Sequence, residues 1–387
     1  MSSPFIFEEK LPTYAIIGGA GYLGANIIKY MLPRNNCEII IVDPSEWSSF
    51  ETAQYPRHKV RHVQKSFLSE EVLDSVLPEC IAVFHLASIG HRGLGMNNHI
   101  KVHDFNVGGT KLLLRKCKEH GVKRFVYASS IATVYVGNAF ENKTEDEEMP
   151  QEHEYINAYS STKAKAEAFV LAAADNDFHT SALRFRGIFG AEDIAVIGRV
   201  ANLTNWGINR FVFSAEAHES RAPNTSVLNC AKAFFLADRA LAENYVNGQA
   251  YFIVDTEIEG QYTCFNDLAR GLGRNPPNIH VCNLAPFVPF ILQFIRVYEN
   301  ICDFTQCEPI VSRFDFLLTL YTNTYSIAKA QKDLGYTPEM SIMPQIVQFH
   351  RSKQETTETQ SITASMHDWI FIFVATIIIT ILFYSTV

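Results

Sequence analysis

The sequence predicts a doubly wound parallel α/β sheet, followed by a smaller C-terminal part and a final apolar helix. Three observations carry that prediction. Strand-like and helix-like runs alternate through the first half, a glycine-rich turn joins the first such pair, and the second strand-like run ends in Asp43. Alternation of this kind packs helices on both faces of one parallel sheet.

The first element is the apolar run ending Ala15-Ile16-Ile17, which reads as a buried strand. It feeds Gly18-Gly19-Ala20-Gly21-Tyr22-Leu23-Gly24, and a helical pattern then runs from Ala25 to Met31. Glycines at such a turn let the backbone bend sharply, approach a pyrophosphate, and pack helix against strand. The helix N-terminus offers N–H groups to the anion. The second strand, Ile39 to Val42, ends in Asp43. An acidic residue about 20 positions past the motif is suited to the ribose hydroxyls of NAD and repels a 2′-phosphate. No Arg follows Asp43 directly, which favours NAD over NADP. The bland alternative for Asp43 is a turn residue before Pro44.

Further strands are expected at 81–86, 124–128 and 181–185. After Gly190 the periodicity becomes irregular, with helices expected at 228–243 and 265–272 and a strand at 250–254. The chain therefore divides into a dinucleotide-binding Rossmann-type domain (1–190), a substrate-binding part (191–345), a polar tether (346–366) and an apolar end (367–387). Leu284 to Ile295 is apolar but contains Pro286 and Pro289, and is too short to cross a membrane. Buried core is the favoured reading, with an interfacial patch as the other.

Tyr159 and Lys163 lie four apart in a stretch rich in Ala, Lys and Glu that reads as helix, so they share a face. A phenol beside an ammonium makes an acid/base pair, because the cation favours phenolate. Proton transfer at neutral pH requires such tuning. The same spacing occurs on ordinary solvated helices, and it gains meaning here from the glycine turn upstream.

Composition narrows the field. A net charge of −8 without a basic block argues against nucleic acid. The 8 cysteines are scattered and form no Cys-x-x-Cys pair, so they read as reduced thiols facing the cytosol. His85, His91, His99 and His103 cluster in sequence, but no metal is expected. His85 reads as a strand-end residue lining the cofactor cleft. The acidic loop Glu141 to Glu154 reads as a solvated surface loop.

The chain end is distinctive. Residues 369–387 carry no charge and are dominated by Ile, Phe, Val and Thr, a length that matches the roughly 20 residues needed to span a bilayer. Trp369 and Tyr384 sit near its ends, where amphipathic aromatics prefer the interface. A single-pass tail anchor follows, with the catalytic part facing the cytosol and the endoplasmic reticulum as the expected membrane.

Taken together, these residues resemble the extended short-chain dehydrogenase/reductase superfamily, and within it the 3β-hydroxysteroid dehydrogenase/isomerase family. The likeness runs from about Pro12 to Pro338. It rests on the glycine motif and on Phe84-His85-Leu86-Ala87-Ser88, Asn106-Val107-Gly108-Gly109-Thr110 and Phe125-Val126-Tyr127-Ala128-Ser129-Ser130. The Tyr159/Lys163 pair, Leu183 to Gly190, and Ala328 to Tyr336 complete it.

The resemblance implies a division of labour. Tyr159 would exchange the proton with the substrate oxygen, Lys163 would hold the nicotinamide ribose and depress the tyrosine pKa, and Ser130 would hydrogen-bond the substrate oxygen, with Ser129 as the alternative position. Cofactor contacts are implied at Gly18, Gly21, Tyr22, Leu23, Gly24, Asp43, Ala87 and Lys163, and Asn106 would brace the region. The implied substrate is an apolar steroid or sterol, oxidised or reduced at a 3-hydroxyl or keto group, with or without isomerisation. The bilayer and, as oligomeric form, a homodimer are the implied partners.

Departures from the family pattern are Ile17 before the first glycine, Phe185 where a proline is usual, Lys65-Ser66 in place of Gly-Asp, and Ser88 in place of a small residue. Two other readings stand beside this one: a nucleotide-sugar epimerase or dehydratase on the same fold, and a catalytically silent NAD-binding membrane protein.

Overall fold

In the computed structural model, the residues described are 11–47, 55–56, 59–91, 98–191, 211–243, 245–256, 258–260, 280–305, 311–339 and 346–348, with 263, 266, 270 and 309 singly. Seven parallel strands form the central sheet. In chain order they are β1 (Thr13–Ile17), β2 (Glu38–Val42), β3 (Val60–Val63), β4 (Cys80–His85), β5 (Arg124–Ser130), β7 (His179–Phe185) and β12 (Gln249–Ile253). The short strand β6 (Phe140–Lys143) lies outside this sheet, as do the small strand pairs between β7 and β12 and after β12. The spatial order is β12-β7-β5-β4-β1-β2-β3, so the direction of winding reverses between β1 and β4. A crevice opens at that switch point, beyond the carboxyl ends of the strands.

Both faces of the sheet are covered, which explains the nearly continuous apolar runs in β1 and β2. On one face Ile27, Ile28 and Met31 of helix Tyr22–Met31 pack with Ala231, Phe234 and Leu241 of helix Val227–Ala242. On the other, Val72, Leu113, Cys117, Ala166 and Val170 join three helices to the sheet. A buried polar knot ties the layers. Asp238 accepts hydrogen bonds from Tyr14 Oη (2.9 Å) and Arg124 Nε (2.6 Å).

The six expected strands appear within two residues of their predicted bounds. β3 was not anticipated: Val60-Arg61-His62-Val63 is too polar to show the signal of a buried strand, because it is the sheet's edge. The boundary at 190 does not separate two layers. Helix Val227–Ala242 packs on helix Tyr22–Met31, and β12 pairs in register with β7. Part of the later chain therefore completes the first unit. The helix expected at 265–272 lies outside the described residues except for 266 and 270.

The run Leu284 to Ile295 is not simple core. A 3-10 turn, Ala285–Phe287, leads into helix Val288–Phe304, with the prolines in first turns where they break no hydrogen bond. Leu284, Val288 and Ile295 are buried, while Phe290 is 68 % exposed. One stripe faces the core and the other faces outward. The expected apolar span at 367–387 lies outside the described residues. Among the described residues no helix is long and apolar enough to cross a membrane.

Candidate active site

All the residues predicted to bind cofactor, apart from Lys163, meet at the carboxyl edge around the switch point. Gly18 ends β1 with φ +81°, and an added Cβ would stand 2.8 Å from the backbone nitrogen of Ala87. A side chain there would be strained in conformation and would collide with the end of β4. Gly24 packs its backbone against Gly19. Tyr22 brings its hydroxyl against Gly190, where no side chain would fit beside it. Leu23 is half-buried against the core. Gly21 precedes the helix with no side-chain cap, so no protein group of that kind takes the first helical N–H groups. That terminus suits an anion.

Asp43 closes β2. Its carboxylate accepts hydrogen bonds from Ala20 N (3.2 Å) and Ser45 N (2.9 Å). The turn role expected of Asp43 is seen in its bond from Ser45 N, and the carboxylate also bonds directly to the glycine-rich loop. These features fit a dinucleotide.

Ser130, Tyr159 and Lys163 converge one layer away. Ser130 ends β5, and helix Ala158–Ala172 begins at Asn157, whose side chain accepts from Ser160 N at 2.9 Å. That cap places Tyr159 in the first turn and Lys163 one turn on, on the same face. Tyr159 is 9 % exposed. Burial pushes its phenol above the ordinary tyrosine value, and hydrogen bonds from the hydroxyls of Ser130 and Ser88 pull it back. Ser130 Oγ accepts from Ala132 N at 3.1 Å, which leaves its O–H to donate.

Lys163 departs from expectation. Its ammonium, 1 % exposed, donates to the carbonyl of Ala128 and sits 4.1 Å above the centroid of the Tyr127 ring. Burial lowers its pKa to about 7, with Glu167 opposing the drop.

His85 also departs. It does not line the cleft but lies 1 % exposed among Phe67, Phe125 and Tyr127, with Nε2 2.9 Å from Thr110 Oγ1. Thr110 donates its own proton to Asn106 O at 2.6 Å, so the imidazole donates to Thr110 and is neutral. Burial, and then the charge of Lys163, push its pKa down to about 3.

Asn106 braces this region, as the resemblance implied. It stands in a π-helical turn, Asp104–Gly108, a local defect often found at functional sites. Its amide receives Ile89 N on Oδ1 (2.9 Å) and donates through Nδ2 to Ile89 O (2.9 Å) and Thr162 Oγ1 (3.0 Å). Ser129, the alternative to Ser130, instead donates to Glu167 Oε2 at 2.6 Å and is buried.

Two contacts escaped the sequence reading. Ser88 was visible only as a departure from the family's small residue, and the hydroxyl it adds was the signal. His91 stacks on the Tyr159 ring, centroids 5.1 Å apart and 40° tilted, with Phe314 edge-on to His91 at 6.0 Å. Its neighbour Phe314 is distant in sequence, so only the fold brings them together. The acidic loop is not merely solvated. Glu145 Oε1 accepts from Phe252 N (2.7 Å), and Glu152 Oε1 accepts from Ser161 and Lys165 on the helix of Tyr159, both at 2.8 Å.

The wider surroundings of Tyr159 are hydrocarbon: Ile131, Val134, Phe314 and Leu317 belong to its cluster, with Ile291 and Leu292 packed beside them.

Comparison with known proteins agrees with this geometry. Residues 15–283 match the model of the 3-beta hydroxysteroid dehydrogenase/isomerase family. The chain is 32 % identical over 314 residues to the Caenorhabditis elegans protein 3beta-hydroxysteroid dehydrogenase/Delta(5)-Delta(4) isomerase 1, covering 81 % of this chain and 66 % of that one. It is 29 % identical over 369 residues to mouse short-chain dehydrogenase/reductase family 42E member 1, covering 91 % and 90 %. With the Schizosaccharomyces pombe sterol-4-alpha-carboxylate 3-dehydrogenase, decarboxylating, identity is 27 % over 332 residues, covering 84 % and 92 %. Among solved structures, UDP-glucuronic acid 4-epimerase from Bacillus cereus, in complex with NAD, superposes with a TM-score of 0.65 at 15 % identity. The match covers 89 % of this chain and all of that one, and it shows the shared fold.

Proposed function

The chain belongs to the 3-beta hydroxysteroid dehydrogenase/isomerase family, and on that footing we propose that it is an NAD-dependent oxidoreductase acting at the 3-hydroxyl or 3-keto group of a steroid or sterol. One observation carries the reading. Tyr159 is buried in an apolar cluster, beside a glycine-rich crevice shaped for a dinucleotide. An apolar ring system is the substrate such walls accept without leaving polar groups unpaired.

In that role Gly18, Gly21 and Gly24 admit the pyrophosphate, and Tyr22, Leu23 and Ala87 frame the turn. Asp43 faces the adenosine ribose and disfavours a 2′-phosphate. Lys163 exchanges its hold on Ala128 O for the ribose of the nicotinamide half. When bound, NAD supplies the hydride acceptor. The chain's own residues handle the proton: Tyr159 Oη takes it from the carbinol oxygen, and Ser130 Oγ–H donates to that oxygen as its bonding changes. In the reducing direction Tyr159 returns the proton.

The uncharged segment 369–387 anchors the chain to a membrane in this reading, with the catalytic part on the cytosolic side of the endoplasmic reticulum. A membrane-held enzyme samples substrates that partition into lipid. Removing 367–387 should shift the protein from the membrane to the soluble fraction.

The test is direct. The protein purified from membranes is assayed for NADH fluorescence with a 3β-hydroxy-5-ene steroid, a sterol 4α-carboxylate and UDP-glucose, and the products are weighed by mass spectrometry. A mass loss of two hydrogens from the steroid supports the reading, and further loss of carbon dioxide from the carboxylate selects the decarboxylating version. Conversion of UDP-glucose alone to its 4-epimer, which changes neither NADH nor mass and is read by chromatographic separation of the two sugars, would replace it with sugar epimerisation.

A further inference from the structure

We propose that His91 is a positioning residue for Tyr159: its imidazole, stacked on the phenol, fixes where the hydroxyl points. That role rests on the reading of Tyr159 as the proton-transferring group. It begins from a contact between rings. The His91 and Tyr159 centroids lie 5.1 Å apart with the planes tilted by 40°, inside the range of favourable aromatic pairs.

The imidazole has a second ring partner. Phe314 meets it edge-on at 6.0 Å, and Tyr135 in turn meets Phe314 edge-on at 5.8 Å. Phe314 and Tyr135 are both buried. Tyr135 Oη donates to Leu317 O at 2.7 Å, three residues along the helix Arg313–Leu320 that carries Phe314. His91 thus joins the phenol to a fixed wall.

The backbone that delivers His91 is as closely set. Asn106 takes both polar groups of Ile89, accepting from its N–H and donating to its carbonyl, each at 2.9 Å. Gly90 follows in the left-handed region at φ +95°, where an added Cβ would stand 2.7 Å from the buried side chain of Val102. The turn is built for glycine, and it fixes how the chain enters His91. The same Asn106 amide donates to Thr162 Oγ1 at 3.0 Å, and that hydroxyl donates to Ala158 O and Tyr159 O. One side chain therefore ties the turn before His91 to the backbone of the residue on which His91 stacks.

Proton transfer needs such a brace. A phenol hydroxyl lies at the end of a long side chain, and a small lean about χ1 carries it away from a carbinol oxygen. Misplacement by about 1 Å costs on the order of 10²-fold in rate. His91 is only half-buried and adds little to the core, so His91→Ala should leave the thermal midpoint close to that of the wild type.

The experiment compares H91A with H91F, which keeps a flat ring and removes both nitrogens. Turnover is followed in the full chain with NAD and the substrate that the wild type consumes. H91A should lower kcat by about tenfold to a hundredfold while the KM for NAD stays constant. H91F should recover kcat to within about threefold. A kcat in H91A equal to that of the wild type, or one that a folded H91F does not recover, overturns the proposal. A substrate-free reading uses the full chain labelled with 3-fluorotyrosine, the Tyr159 fluorine signals being those lost in Tyr159→Phe. The held ring should give separate signals for its two orientations, and H91A should merge them by freeing the ring to flip. Separate signals in H91A also overturn the proposal. Merged signals, with no turnover of steroid by the wild type, keep His91 as the brace and remove the steroid reading instead.

Discussion

Glu167, on the helix of Tyr159, and Arg184 form a buried ion pair, their closest atoms 2.6 Å apart and their side chains 2 % and 4 % exposed. Arg184 reaches both carboxylate oxygens from β7, and Ser129 on β5 donates to one of them. One carboxylate thus joins the helix of Tyr159 and Lys163 to two central strands.

Neutralising that carboxylate should be costly. Glu167→Gln leaves the Arg184 guanidinium buried without its counter-charge, and removing one partner of a buried pair costs about 3–5 kcal/mol. Glu167 also holds up the Lys163 pKa against burial, so the variant should carry a lysine that loses its proton at still lower pH. Urea denaturation gives the stability loss. A variant as stable as the wild type would show that the pair is not structural.

His85 sets an acid limit on the fold. Its pKa is about 3 in the folded protein against the ordinary 6.5. Between those values the unfolded chain takes up a proton that the folded chain refuses, so stability falls as pH falls through that window. The contribution amounts to about 3 kcal/mol at pH 4. His85→Gln keeps a donor for Thr110 and cannot titrate, so its stability should decline less between pH 6.5 and pH 4. Parallel curves for the two proteins would reject this account.

Gly18 should tolerate no side chain. Gly18→Ala adds the left-handed penalty of roughly 1–2 kcal/mol and pushes on the Ala87 backbone. NAD affinity, read by quenching of intrinsic fluorescence, should fall at least about tenfold, while the circular dichroism spectrum stays the same. Unchanged affinity would place the dinucleotide elsewhere.

The parts legible in the sequence are those written in local pattern. Buried parallel strands appear as apolar runs, and the turn after β1 announces itself by glycine spacing. Tyr159 and Lys163 are marked by one helical turn. What stayed hidden depends on partners far apart in the chain. Edge strand β3 is exposed enough to lose its apolar signature. His85 reads as a cleft residue until Thr110 and three aromatic rings are seen around it. The helix face shared by Lys163 and Tyr159 is legible in the sequence, but not that the ammonium donates to Ala128 O, from β5.

The measurement closest to the central claim is Tyr159→Phe, assayed for both NAD binding and steroid-dependent NADH formation. The phenol's neighbours and the glycine cradle remain, so NAD affinity should stay within about twofold, whereas turnover should fall by about 10²-fold or more with loss of the proton-transferring group. Turnover that survives the change would contradict the assignment of Tyr159 as the group that moves the proton.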